Sequence, residues 1–334
     1  MTTSANSFPT RSTALLGAIW SSIKKIPPIY PVFLVIILGV SYLNPNFSSS
    51  DGILLFLRRS APLAVLAIGQ MFVLASGGFD LSQGSLVTLV ILGSSLIIYN
   101  DANNAYLAIM AMIGLGVVIG LVNGLAVTYL KVPSLIATLG MLLLLKGGGL
   151  YWTGGAPKGY LTDNWRFFGR GYFENVPIFG HFPVAVLILL VVAVLTFILF
   201  HRTNLGRQIL AIGDNARASQ LSGVKIKLVR IIAFLISSVL TVIAGVMIGG
   251  YGGISIVAGD GLEMQSVSAA VIGGAMLLGG KGNIPNVIFG GLTLEALFNL
   301  LNLLGLPKPY RDAVQGLIII GAVAYAGIST RKKR

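Results

Sequence analysis

Asp80 is the residue whose chemistry most needs an account. It stands in LASGGFDLSQGS, residues 74–85, between apolar runs and just after Gly77 and Gly78. A charged side chain at the centre of a bilayer helix costs about 2.5 to 3.5 kcal/mol on insertion scales, so it is normally paired, or faces protein or water. The glycines before it, with Ser82, Gly84 and Ser85 after it, permit an unwound segment whose freed backbone groups line a cavity. Two roles then suit the carboxylate. In one it is structural: Asp80 or Ser82 caps a helix beginning near Leu86 and takes backbone N–H bonds at its amino terminus. In the other it is a ligand for a transported solute, or a proton carrier. Glu295, in GGLTLEALFNL, is the second intramembrane acid, either facing the bundle interior beside Asn299 and Asn302 or wetted near the outer surface. Lys146 ends an apolar run and is expected to snorkel.

Enzymatic chemistry fails on spacing. In GGAMLLGGK the phosphate-loop pattern needs glycine where Ala275 stands, and Ser or Thr where Gly282 follows Lys281. His181 and His201 lie in no zinc motif, and cysteine is absent, so no metal site and no cofactor are expected. An intramembrane aspartyl protease wants Gly-x-Gly-Asp, but Val257 occupies the first glycine's place before Asp260.

The elements that must hold these residues are apolar. Of 334 residues 55% are hydrophobic and only 10% charged, which argues for a polytopic membrane protein. Forty-three glycines suit helices that approach backbone to backbone. Gly116, Gly120 and Gly124 recur at every fourth position as one such contact face. About ten spans are expected, near 28–44, 61–77, 82–99, 105–130, 134–152, 183–200, 230–250, 266–280, 284–304 and 312–328, making an all-α integral membrane protein with a broken helix near residues 77–85.

The net charge of +13 marks sidedness rather than nucleic acid. With the amino terminus inside, fifteen of the 23 Lys and Arg fall on the cytoplasmic side, seven on the other, and Lys146 lies within a span. Both termini are therefore expected in the cytoplasm. Residues 1–27 read as a cytoplasmic amphipathic segment, with Leu15, Leu16, Ile19, Trp20 and Ile23 at helical spacing, or as a frayed tail. Residues 28–330 form the membrane domain and 331–334 a basic tail. The external loop 153–182 is rich in aromatics, including Trp165, expected at the interface or against a partner.

The cytoplasmic loop 201–229 carries one short helical signal. Asp214 and Asn215 can cap, Ala216 to Leu221 can wind, and Gly223 can take the left-handed stop. It reads either as a surface to be gripped or as a solvated basic loop. A weak internal echo relates residues 68–86 to 272–288, each with a Gly-Gly pair and polar turn after an apolar run, and paired interruptions of this kind point to a translocation path.

SGGFDLSQGS resembles the signature of permease subunits of ribose-type sugar ABC importers, commonly Gly-Gly-Ile-Asp-Leu-Ser-Val-Gly-Ser. LGRQILAIGDNARASQLSGV and GLEMQSVSAAVIGGAMLLGGKGN are similar to that family's cytoplasmic loop and late stretch, and the order matches from about residue 30 to 328. The resemblance implies a ten-helix permease of the bacterial cytoplasmic membrane. Its implied partners are a second permease subunit, a separate ATP-binding subunit, a periplasmic sugar-binding protein and membrane lipid. Gly77, Gly78, Asp80, Ser82, Gly84 and Ser85 fall in the implied signature loop, with Glu295 a further candidate for the path. Arg207, Gly213, Asp214, Asn215, Ala216, Arg217, Ala218, Leu221 and Gly223 fall in the implied coupling segment. A bulky residue at Gly213 or Ala218 is expected to uncouple ATP hydrolysis from uptake while assembly survives. Phe79, Gln83, Asp214 and Gln265 depart from the family pattern.

Overall fold

The computed structural model describes residues 27–177 and 180–331; the basic tail beyond Arg331 and the amphipathic segment expected over 1–27, all but its last residue, lie outside the described residues. The described chain is a helical bundle. Its helices are α1 (Ile29–Leu43), α2 (Ser50–Ala75), α3 (Gln83–Asn100), α4 (Ala105–Thr128), α5 (Ser134–Thr153), α6 (Asp163–Arg170), α7 (Val184–Phe197), α8 (Asn204–Asp214), α9 (Ala216–Leu221), α10 (Ile226–Gly252), α11 (Leu262–Ile272), α12 (Ile284–Leu303) and α13 (Lys308–Arg331). Among them six segments are long and apolar enough to cross a membrane: α2, α4, α5, α7 with its π-helical extension to Arg202, α10 and α12. Shorter apolar helices cover Ile29–Leu43, Gln83–Tyr99 and Leu262–Ile272.

Helix boundaries follow local chemistry. Ser49 caps α2 by accepting the Gly52 N–H at 3.0 Å, and Asp51 in the first turn complements the helix dipole. This start is eleven residues before the expected one, because Arg58 and Arg59 belong to the helix rather than to the loop before it. Their guanidinium groups lie over aromatic rings, Arg58 at 5.1 Å from Tyr172 and Arg59 at 5.7 Å from Tyr251. Asn283 caps α12 through Asn286 N–H at 3.2 Å, with a proline in the first turn where its missing donor costs nothing. The span expected over 266–280 is replaced by α11, which stops at Ile272; residues 273–283 are irregular, with Gly274, Gly279 and Gly280 at positive φ.

α2 and α10 form the centre. Every residue of α2 from Ser60 to Ala75 is buried. α10 packs on α2, α3, α4 and α6, while α12 packs on α1, α2 and α11. The small-residue face of α4 meets α10 at backbone distance. A Cβ on Gly120 would lie 2.9 Å from Leu235 Cα, and one on Gly124 2.9 Å from Ile231 Cα, so these two glycines set how closely the helices approach. Gly116 carries the same contact to Ser238 and Val242. Outward faces stay apolar, as with Leu34, Val35 and Leu38 of α1, which suits a lipid surround.

The aromatic-rich segment 153–182 is more structured than its composition suggested. α6 is followed by a two-stranded antiparallel hairpin, β1 (Tyr172–Val176) and β2 (Gly180–Pro183). Trp165 is fully buried rather than placed at an interface, its ring fitted against Gly249 of α10. The ammonium of Lys146 pairs with Asp260 at 3.1 Å, with both side chains partly exposed.

Candidate functional site

α2 ends as a glycine at C′ requires. Gly77, at φ +82°, donates to Leu74 O at 2.8 Å and Gly78 donates to Val73 O at 3.0 Å, a Schellman closure that turns the chain out of the helix. Residues 76–82 are non-helical, and α3 then starts at Gln83, one residue after the start of the span expected over 82–99 and three before the helix start near Leu86 that the capping reading gave. Gly84 and Ser85 are thus in the first turn of α3 rather than in the unwound stretch. Ser85 is buried there, and Gly84 is a contact point, since a Cβ on it would lie 2.5 Å from Gly259 O.

The short unwound stretch is held by side chains from three helices. Asp80 is fully buried and accepts three hydrogen bonds. Its Oδ1 takes Ser82 N–H at 3.1 Å and Ser82 Oγ–H at 2.6 Å, and its Oδ2 takes Ser237 Oγ–H, from α10, at 2.7 Å. Asn123 of α4 donates to Ser82 Oγ at 3.0 Å. Gln83 Nε2 donates to Ser237 Oγ at 3.0 Å and to Leu66 O of α2 at 3.3 Å. On the other side, Ser134 Oγ and Thr138 Oγ1 of α5 accept the N–H groups of Phe79 and Leu81, each at 3.1 Å. The Ser82 side chain makes no cap bond to α3; the carboxylate of Asp80 takes the backbone N–H at that end. The N–H groups of Phe79, Leu81 and Ser82, freed by unwinding, are therefore paired with side chains rather than left open.

Ser237, Asn123, Ser134 and Thr138 are not among the residues singled out from sequence. Asn123 carried a signal, being an amide inside an apolar helix, where polar side chains usually bond across an interface. Gln83, a departure from the family pattern, supplies two of the bonds in the network.

Glu295 is not part of this network. It lines a separate cavity of about 470 Å³ with Asn44, Asn46, Arg59, Asn299 and Arg311, between the ends of α1, α2 and α12 and the start of α13.

The polar stretch 201–229, expected from sequence to be one loop, contains two helices. α8 is amphipathic, with Gly206, Ile209 and Ile212 buried, spaced three residues apart, a pattern present in the sequence but masked by its polar neighbours Arg207 and Gln208. Arg207 on its outer face bonds Asn204. α9 is a turn and a half, capped by Asn215 Oδ1 on Ala218 N–H at 3.0 Å and stopped at Gly223, φ +82°. Asp214, Arg217, Ala218 and Leu221 are exposed and Ala216 is half-buried; Leu221 is 84% exposed, an apolar side chain presented on a polar surface.

These helices are tied to the broken segment by glycines. A Cβ on Gly213, the penultimate residue of α8, would lie 2.0 Å from Ala75 O and 2.2 Å from Gly280 N. Gly280 N–H in turn donates to Ala75 O at 3.0 Å. Gly279, at φ +90°, is packed so that its Cβ would meet Gly213 Cα at 2.8 Å and Gly77 Cα at 3.1 Å. The two Gly-Gly turns of the sequence echo therefore touch, and the end of α8 sits on both.

Residues 52–323 match the family described as the branched-chain amino acid transport system / permease component. The chain is similar to the ribose import permease protein of Escherichia coli (strain K12), 35% identical over 299 residues that cover 87% of this chain and 90% of that one. Its similarity to the ribose import permease protein of Bacillus subtilis (strain 168) is 34% over 315 residues, covering 90% and 92%. To the autoinducer 2 import system permease protein of Salmonella typhi it is 33% over 299 residues, covering 89% and 83%. No solved structure matches the chain.

Proposed function

Since the chain belongs to the branched-chain amino acid transport system / permease component family, we propose that it is the membrane-spanning subunit of an ATP-binding-cassette importer for a ribose-like sugar. The observation that carries the reading is near end-to-end similarity to ribose import permeases at 34–35% identity. The sugar assignment rests on those relatives and on the Asp-Leu-Ser of residues 80–82, not on the broader family description.

In this reading the chain lies in the bacterial cytoplasmic membrane with both termini inside and ten crossings. It pairs with a second permease subunit, and the central path runs between the two. A sugar-binding protein delivers solute from outside. A separate ATPase grips α9, where exposed Leu221 and Ala218 offer an apolar contact beside Arg217. Force passes from α9 through α8 to the glycine junction at Gly213, Gly279 and Gly77, and so to the unwound segment at Asp80. The three hydrogen bonds on Asp80 support a structural role for it, since they leave it buried and occupied.

The test is uptake of labelled ribose into proteoliposomes. With the ATPase and binding protein present, uptake should require internal or external ATP on the ATPase side and persist with a protonophore. Uphill uptake by the purified chain alone on an ion gradient would replace this reading with a secondary transporter.

A further inference from the structure

A second cavity, of about 900 Å³, opens where the chain leaves α4, enters α10 and passes the end of α9. Four cations line it, Lys131, Lys225, Lys227 and Arg230, and no carboxylate does. Arg230 is half-buried, and among the described residues none of the four has an anionic partner; the ion pairs in the described chain are Lys146 with Asp260 and Arg170 with Asp163. Lys227 Nζ lies 4.3 Å above the Tyr129 ring, which orients it without neutralising it. Lys131 holds a positive φ of 57°, a conformation costly for a residue with a side chain and usually kept where the surroundings require it. A half-buried, unneutralised guanidinium in a room of like charges is unfavourable until an anion enters.

The cavity has an apolar extension. Val118, Leu121, Val122, Leu125 and Tyr129 are exposed at helical spacing along α4, so the stripe runs down the helix to the basic pocket. Leu228, on the opposite wall, is also exposed. A free phosphate needs the cations alone, whereas a phospholipid needs both the cations and a track for its acyl chains. We propose that this pocket binds the phosphate headgroup of an anionic phospholipid, whose acyl chains lie along the exposed face of α4. Gly77 and Gly78 are among the residues that line the pocket, so the headgroup lies beside the start of the unwound segment. The cavity sits at the end of the bundle where basic residues concentrate, the side on which anionic headgroups attract juxtamembrane cations.

The experiment is native mass spectrometry of the full chain after delipidation and titration with phosphatidylglycerol or phosphatidylcholine. The wild type should retain phosphatidylglycerol in preference to phosphatidylcholine. Arg230→Gln should weaken retention about fivefold, and the triple change K131Q, K225Q and K227Q about a hundredfold, since each juxtamembrane cation contributes roughly that factor. Arg230→Lys should restore most of the loss. The three lysines are exposed, so the triple variant should keep the wild-type unfolding midpoint. Equal retention of the two lipids, or retention untouched by the triple change, would overturn the proposal. Displacement of phosphatidylglycerol by millimolar inorganic phosphate would overturn it too, identifying a free-anion site instead. Capture of an acidic segment of a partner subunit that excludes phosphatidylglycerol would identify a protein contact and likewise overturn it.

Discussion

Asp80→Ala should destabilise the folded chain by about 2 to 5 kcal/mol, while Asp80→Asn should cost far less. Alanine deletes the acceptor of three hydrogen bonds in a place with no solvent. The hydroxyls of Ser82 and Ser237 can rotate toward other acceptors, but the Ser82 N–H is fixed, and each buried polar group left unpaired costs about 1 to 3 kcal/mol. The missing carboxyl also leaves a void, which adds to the loss. Against a typical net stability of about 5 to 15 kcal/mol this is a large fraction, so the alanine variant should show a clearly lower unfolding midpoint in detergent.

Asparagine separates the two roles open to Asp80 from sequence. Its Oδ1 can face Ser82, where both donors lie, and its Nδ2 can donate to Ser237 Oγ, which has a lone pair to spare once its proton turns elsewhere. If the carboxylate is a clamp, Asp80→Asn should retain most ATP-dependent uptake. If it carries a proton or binds solute through its charge, the same variant should fold normally and transport nothing. Uptake below about a tenth of wild type, at an unchanged unfolding midpoint, would defeat the structural role.

The features legible in the sequence were those encoded locally. α9 could be placed to the residue because Asn215 and Gly223 are end signals that act within one turn. The closure after α2 was legible for the same reason, through Gly77 and Gly78. What escaped depends on register between helices distant in sequence. Ser237 is 157 residues from Asp80, and nothing in a hydrophobic run of α10 says which of its hydroxyls will face a carboxylate. Arg58 and Arg59 lie outside the span expected over 61–77, and the distant rings of Tyr172 and Tyr251, which receive their guanidinium groups, help account for their place in a helix. α11 is shorter than its hydropathy implied because the apolar stretch after it contains glycines that turn the chain, and hydropathy does not distinguish a helix from a buried irregular segment. Glu295 was grouped with Asp80 by type alone, whereas the fold assigns it to a cavity beside Arg59 and Arg311.

Gly213→Val should reduce ATP-driven uptake at least tenfold and should also lower stability, in contrast to changes on the outer face of α9. Even the first carbon of a side chain at Gly213 would fall 2.0 Å from Ala75 O, deep inside van der Waals contact, and 2.2 Å from the Gly280 N that donates to that same oxygen. Neither obstacle is a flexible side chain, so relief requires moving α8 off both turns; overpacking of this kind typically costs about 1 to 3 kcal/mol. A bulky residue here is therefore expected to cost stability as well as coupling. Ala218→Trp and Leu221→Ala test the grip separately. Both positions are exposed, so folding should stay within about 0.5 kcal/mol of wild type. If the ATPase buries Leu221, its removal should weaken association by about ten- to a hundredfold, from the roughly 1.5 to 3 kcal/mol that burying such a side chain contributes. The pair of results locates the two halves of the relay: association of the ATPase, measured by co-purification, should fail at α9, and conversion of hydrolysis into uptake should fail at Gly213. Normal uptake by Gly213→Val would mean that α8 does not drive the glycine junction, and the force would have to enter the bundle elsewhere.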